Sequence, residues 1–160
     1  MVKLMQGDLE RLRAVADYQF GRGAGDALFP GDATIEYSKN TGKPRHVWAG
    51  GALVASYRPN DGLFTLTMAG ARRLVGGLEA PGCTVTIMDD VVEAVETGGN
   101  VFARHVMDAG EAIRPGDEVV VVDQGGEAIA VGKALLTRNE MLRFKTGAAV
   151  KVRRGRSRHR

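Results

Sequence analysis

The sequence predicts an α+β domain, one helix plus an antiparallel meander, followed by a mixed β-barrel with two short helices. Three observations predict it. One helical-period apolar stripe near the N-terminus is followed by four short alternating runs separated by tight turns. Glycine and proline pairs, Gly76-Gly77 and Pro81-Gly82, then punctuate the chain and divide it into domains at residues 1–78 and 82–154. Beyond them the strands are short and bent by glycines, with two helical stretches interleaved, a pattern that suits a compact barrel.

The helix spans Asp8 to Phe20. Leu9, Leu12, Ala16 and Phe20 share one stripe, with Asp8 placed to cap it and Gly21 to stop it. The meander consists of ATIEYS, PRHVWA, ALVASY and LFTLT. Its connections, Asn40-Thr41-Gly42, Gly50-Gly51 and Pro59-Asn60-Asp61-Gly62, are too short for anything but antiparallel neighbours. Thr67 can cap a closing helix from Met68 to Val75. About 75 residues is close to the smallest unit that buries its own core.

The second domain opens with the strand CTVTIM. Asp89 or Asp90 is placed to cap a short helix, VVEAVET, which Gly98 and Gly99 terminate. NVFARHVM reads as one strand, with Val101, Ala103 and His105 on one face and Phe102, Arg104 and Val106 on the other. The turn RPGD leads into EVVVVD, whose consecutive valines require burial on both faces. In EAIAVGKALL, Gly132 interrupts the strand and predicts a bulge or bend. TRNE, from Thr137 to Glu140, is a capping box that starts a short helix through Met141 and Phe144, and AAVKVR closes the barrel.

Composition narrows the class of molecule. Hydrophobic residues make up 44% and charged residues 26%, which is globular rather than disordered. No apolar run approaches the ~20 residues of a membrane-spanning helix, and the charged N-terminus lacks a signal peptide's apolar region. A single cysteine, Cys83, leaves no internal disulfide and no cysteine-cluster metal site. These features predict a cytoplasmic protein with no membrane attachment.

The charge is unevenly distributed. Six of the 22 cations and none of the 19 acids lie in the last ten residues, KVRRGRSRHR, although the whole chain carries only +3. A mildly acidic body thus ends in a basic segment, of which residues 155–160 are read as a tail. Such a tail either engages a polyanion, releasing condensed counterions, or serves as a solubilising end.

Catalytic signatures are missing. GRGAG, from Gly21 to Gly25, follows a helix and lacks a Gly-Lys-Ser/Thr ending, so it reads as a flexible connection or as close backbone packing. His46, His105 and His159 share no metal-ligand spacing, and Cys83 opens an apolar strand as a small buried residue. No nucleophile motif occurs. The expectation is therefore no catalytic residues, no metal and no cofactor. A scattered site near Asp17, Tyr18 and Arg22 is the weaker enzymatic alternative, and a protein-interaction module with an incidental tail is another.

One stretch does carry chemistry. In GGNVFARHV a side-chain-free backbone adjoins an aromatic and a cation. Phosphates approach such a backbone closely, an unpaired base can stack on Phe102, and Arg104 can pair with a phosphate. The competing reading is a helix cap followed by a core strand with Phe102 buried.

The motifs GGNVFARHVMDAGEAIRPGDEVVVVD and IAVGKALLTRNEMLRFKTGAAVKVR resemble the PUA domain, an RNA-binding module named after pseudouridine synthases and archaeosine transglycosylases. In the first half, RLRAVADYQFGRGAGDALFP, TGKPRHVW and NDGLFTLTMAGARRL resemble the domain preceding PUA in archaeal archaeosine tRNA-guanine transglycosylases. That resemblance implies RNA-contact candidates at Gly98, Gly99, Asn100, Phe102 and Arg104, and on later strands at Lys133, Lys151, Arg153 and Arg154. It implies tRNA as partner, gripped at the acceptor stem and 3′ end. Those enzymes catalyse on a TIM barrel with a cysteine-rich zinc site. A barrel typically takes ~250 residues, so the expectation is a non-catalytic, stand-alone accessory module for tRNA modification, with a separate catalytic subunit as a possible partner. The alternative target is rRNA, in ribosome assembly or translation.

Overall fold

The structure, a computed structural model, describes residues 2–3 and 6–157, so Arg158, His159 and Arg160 lie outside the described residues. The chain divides into two compact units between Glu79 and Ala80. None of the described helices is long and apolar enough to cross a membrane.

The first unit has a five-stranded antiparallel sheet in sequential order: β1 (Val2–Lys3), β2 (Thr34–Tyr37), β3 (Pro44–Ala49), β4 (Ala52–Tyr57) and β5 (Phe64–Leu66). Helices α1 (Gln6–Phe20), α2 (Ala24–Leu28) and α3 (Met68–Gly77) complete it. The stripe Leu9, Leu12, Ala16 and Phe20 is buried as the periodicity requires. Gln19 fixes α1 to β5 by a reciprocal pair: its Nε2 donates to the Phe64 carbonyl at 2.8 Å and its Oε1 accepts the Phe64 N–H at 2.8 Å. Phe64 in turn packs against Phe29, with ring centroids 5.2 Å apart. The Gly50-Gly51 turn joins paired Ala49 and Ala52, and both glycines take positive φ, the conformation such a hairpin demands. Thr67 caps α3 by accepting the Gly70 N–H at 3.1 Å.

Asp8 does not cap α1. The helix starts two residues earlier, and the Asp8 carboxylate instead accepts the Tyr37 hydroxyl at 2.5 Å and pairs with Arg11. The GRGAG segment is the tight α1–α2 turn. A Cβ at Gly25 would lie 2.4 Å from the Arg13 carbonyl oxygen, so close backbone packing explains that glycine.

The second unit is a nearly closed mixed barrel. Its strands are β6 (Thr84–Ile87), β7 (Val101–Phe102), β8 (Val106–Ala109), β9 (Glu118–Val122), β10 (Ala128–Ala134) and β11 (Ala148–Gly155). They run in the order β7-β11-β10-β9-β6-β8, with β6 parallel to β9 and the other pairings antiparallel. Helices α4 (Val92–Glu96) and α5 (Arg138–Arg143) pack on it. Every residue of β9 is buried, as a valine run in a barrel wall must be. Val85, Ile87, Val101, Val119, Val121, Ile129, Met141 and Val150 share one core.

Three sequence expectations change here. NVFARHVM is not one strand: a 3-10 turn at Ala103–His105 separates β7 from β8, because the chain must leave one end of the sheet and join the other. Alternation holds through Arg104, and then Val106 turns inward, opposite to the face predicted for it. Asp89 and Asp90 form a 3-10 turn with Val91 and provide no side-chain cap; α4 starts from Val91. Finally, β11 runs to Gly155, and the next two residues are still bonded. Arg156 N–H donates to the Ile129 carbonyl and Ser157 N–H to the Glu96 carbonyl, each at 2.9 Å. The Arg156 guanidinium binds Glu96 at 2.7 Å and Glu127 at 3.4 Å, and the Glu96 hydrogen bond raises its already high pKa.

The capping box is present, with Thr137 and Glu140 exchanging side-chain and backbone bonds. Gly132 lies at a register shift between β10 and β11, where a Cβ would come within 2.2 Å of the Lys151 carbonyl oxygen.

Candidate nucleic-acid interface

The α4–β7 edge is built from its glycines outward. Gly98 N–H donates to the Val95 carbonyl at 3.0 Å and Gly99 N–H to the Ala94 carbonyl at 2.9 Å, so both amides close the helix. Gly98 has φ 115° and open space where a side chain would stand, whereas a Cβ at Gly99 would lie 2.8 Å from the Ala94 oxygen. The bare surface at Gly98 therefore remains open to a ligand, while the two N–H groups serve the fold. Asn100 is exposed, and its Oδ1 accepts the Val152 N–H at 2.9 Å, which extends the β7–β11 ladder by one side-chain bond.

Phe102 is 45% exposed, while its neighbours Val101 and Ala103 are buried. The core reading of Phe102 is thereby set aside. The Arg104 guanidinium stands 5.8 Å from the centre of the Phe102 ring, and the His105 ring meets that ring edge-on at 6.4 Å. Arg104 Nε also donates to His105 Nε2 at 3.4 Å. An aromatic face, a guanidinium and an imidazole thus share one exposed edge, supported underneath by Ala103 N–H bonding to the Gly147 carbonyl at 2.9 Å.

The later-strand candidates form a second group. Lys133 of β10 lies directly opposite Lys151 of β11 and, on its other side, opposite Glu118 of β9. Cross-strand partners share a face, so the two exposed ammonium groups are neighbours, an unfavourable pairing in the free protein. The bulge between Val131 and Gly132 leaves Arg153 as the extra residue. Its guanidinium holds Glu118 through two bonds of 2.9 and 2.5 Å. Arg154 lies opposite Val131, is exposed, and forms no ion pair among the described residues.

Of the enzymatic alternative Asp17, Tyr18 and Arg22, Tyr18 is 84% exposed and Asp17 serves the fold. Asp17 Oδ1 accepts the Gly25 N–H at 2.7 Å in the α1–α2 turn. Among the described residues no three His, Cys, Asp or Glu side chains gather into a metal-binding group. Sequence reasoning passed over the end of α5, where Leu142 and Phe144 are exposed beside Arg143 and Lys145. The signal was available in LRFK, two apolar residues alternating with two cations.

Two family models match. The patch-forming domain C2 of tRNA-guanine transglycosylase covers residues 10–81, and the PUA domain covers residues 83–156. The chain is 45% identical over 148 residues to the tRNA-guanine(15) transglycosylase of Methanothermobacter thermautotrophicus, covering 92% of this chain and 23% of that enzyme. It is 47% identical over 142 residues to the Thermococcus kodakarensis enzyme, covering 89% and 24%. The chain thus spans about a quarter of the length of these relatives, corresponding to their C-terminal region. Among solved structures, a hypothetical protein of Pyrococcus horikoshii superposes with a TM-score of 0.74 at 23% identity, covering 97% of this chain and 94% of that one. A conserved PUA domain protein of Thermoplasma acidophilum superposes at 0.70 and 16% identity, covering 97% and 93%. Those two likenesses concern the fold. With the two models meeting between residues 81 and 83, the chain is a C2 domain of the tRNA-guanine transglycosylase type joined to a PUA domain.

Proposed function

We propose that this chain binds RNA, tRNA in particular, at its acceptor stem and single-stranded 3′ end, and serves a tRNA-modification reaction whose catalytic groups lie outside this sequence. One observation carries the reading: Phe102 stands exposed with a guanidinium over its ring, at the mouth of a side-chain-free helix end. An exposed aromatic suits an unpaired base, and the exposed, facing Lys133 and Lys151, with Arg154, none of which forms an ion pair among the described residues, suit a phosphate backbone. The identity to tRNA-guanine(15) transglycosylases supports tRNA as the RNA. The remaining three quarters of those enzymes have no counterpart in this sequence, which supports a non-catalytic role for this part.

The test is binding across a salt series to full-length tRNA and to the same tRNA shortened by its single-stranded 3′ end. Tight binding that weakens with salt, and weakens again when the end is removed, is the expected result. Equal binding to both, or binding indifferent to salt, overturns it.

A further inference from the structure

We propose that the end of α5, Leu142 to Lys145, is a second base-contacting element. It takes the nucleotides adjoining the one at Phe102 in a single-stranded RNA segment. The inference rests on the RNA-binding reading above and deepens it.

The segment is held rigidly beside the first site. Helix α5 packs against the Ala103–His105 turn and against β8, and Arg138 bonds Asp108 at 3.1 Å. That arginine, after the Ala109 backbone N–H, holds the Asp108 carboxyl below its ordinary pKa. Met141 is wholly buried, and the Phe144 N–H closes the helix on the Glu140 carbonyl at 2.8 Å. Three residues later the Gly147 carbonyl accepts the Ala103 N–H, and Ala148 lies opposite Phe102. The same short stretch therefore supports the Phe102 edge and ends α5.

What it presents to solvent is unlike a solvated helix end. Leu142 and Phe144 are 41% and 45% exposed. Arg143 and Lys145 are exposed, and neither forms an ion pair among the described residues. Between Arg138 and Lys151 the only acid is Glu140, whose carboxylate is occupied by the Thr137 N–H at 2.9 Å. With Arg104 on the adjoining turn, exposed aromatic surface is interleaved with cations that form no ion pair among the described residues. That complementarity selects a polyanion with unpaired bases over an acid-poor protein surface.

The experiment uses the full chain with a hairpin RNA bearing a four-nucleotide 3′ overhang, the same hairpin made blunt, and 2-aminopurine at successive overhang positions. Phe144→Ala is expected to weaken the overhang hairpin on the order of tenfold and the blunt one little. The 2-aminopurine position it affects should differ from the position affected by Phe102→Ala. The double substitution Arg143→Gln with Lys145→Gln should flatten the salt dependence. It decides the matter if Phe144→Ala lowers the melting temperature. Unchanged overhang binding by Phe144→Ala, or unchanged salt dependence in the double variant, overturns the inference while wild-type binding keeps the functional reading. Failure of the unsubstituted chain to bind either hairpin overturns both, and a patch that crosslinks to protein but not to RNA overturns this one.

Discussion

Glu118, only 4% exposed, is held by both terminal nitrogens of Arg153, an exposed residue 35 positions later in the chain. Arg153→Ala would leave a buried carboxylate without that guanidinium. The expected cost is about 2 kcal/mol, less than the roughly 3–5 kcal/mol of a fully buried pair, because Arg153 keeps one side in water. Thermal melts should show a large drop for Arg153→Ala and almost none for Arg154→Ala, so lost RNA affinity in the first variant reports folding before it reports contact.

Lys133 and Lys151 predict the opposite combination. They repel each other across β10 and β11, so Lys151→Gln should leave stability unchanged or raise it by a few tenths of a kcal/mol. Affinity should nevertheless fall across all RNAs, and the slope of log affinity against log salt should shrink by about one. Melting and salt titration of the same variant check both halves.

Phe102→Ala should separate binding from folding. The ring is half exposed and contributes little to the core. The melting temperature should change little, while RNAs with an unpaired 3′ end lose on the order of 1–3 kcal/mol and blunt duplexes do not. Unfolding on substitution would return the residue to a core role.

Cys83 should be chemically silent in the folded chain. Burial pushes its thiol up to about 12, and burial together with the Asp8 hydrogen bond pushes Tyr37 up to about 12. Iodoacetamide should label Cys83 slowly under native conditions and rapidly in denaturant, because only the thiolate reacts. Both shifts run upward, so the unfolded chain releases these protons first. Stability is then complete below the ordinary thiol range and declines as pH rises from about 9 towards 12. Urea midpoints on either side of that rise, measured for wild type and Cys83→Ala, check the sign.

Local signals were legible in the sequence, and distant pairings were not. The stripe of Leu9, Leu12, Ala16 and Phe20, the Thr137 capping box, the β9 valines and the Gly132 bulge all rest on neighbours within a few residues. Asp8 and Asp89 each had the right position for a cap, but Tyr37 claimed the first and a 3-10 turn the second. Helix α2, only Ala24–Leu28, is too short to show a period. At the candidate site, the alternation in GGNVFAR put Phe102 and Arg104 on one face, opposite Val101 and Ala103, but which face is buried depends on the barrel packed behind it. The engagement of Arg153 depends on Glu118, and no spacing rule links residues on strands brought together by a barrel.

The Ala103–His105 turn has a wider consequence. β7 and β8 are the two ends of the six-strand order, yet only three residues separate them. Open sheet margins invite strand addition from other chains, and here the fold brings both margins to one seam. Phe102 and Arg104 sit on that seam. A molecule bound there would touch both margins at once, so occupancy and the joining of the barrel's two ends become a single linked property. Slower amide exchange at Ala103 and Val106 in the bound state would be its signature.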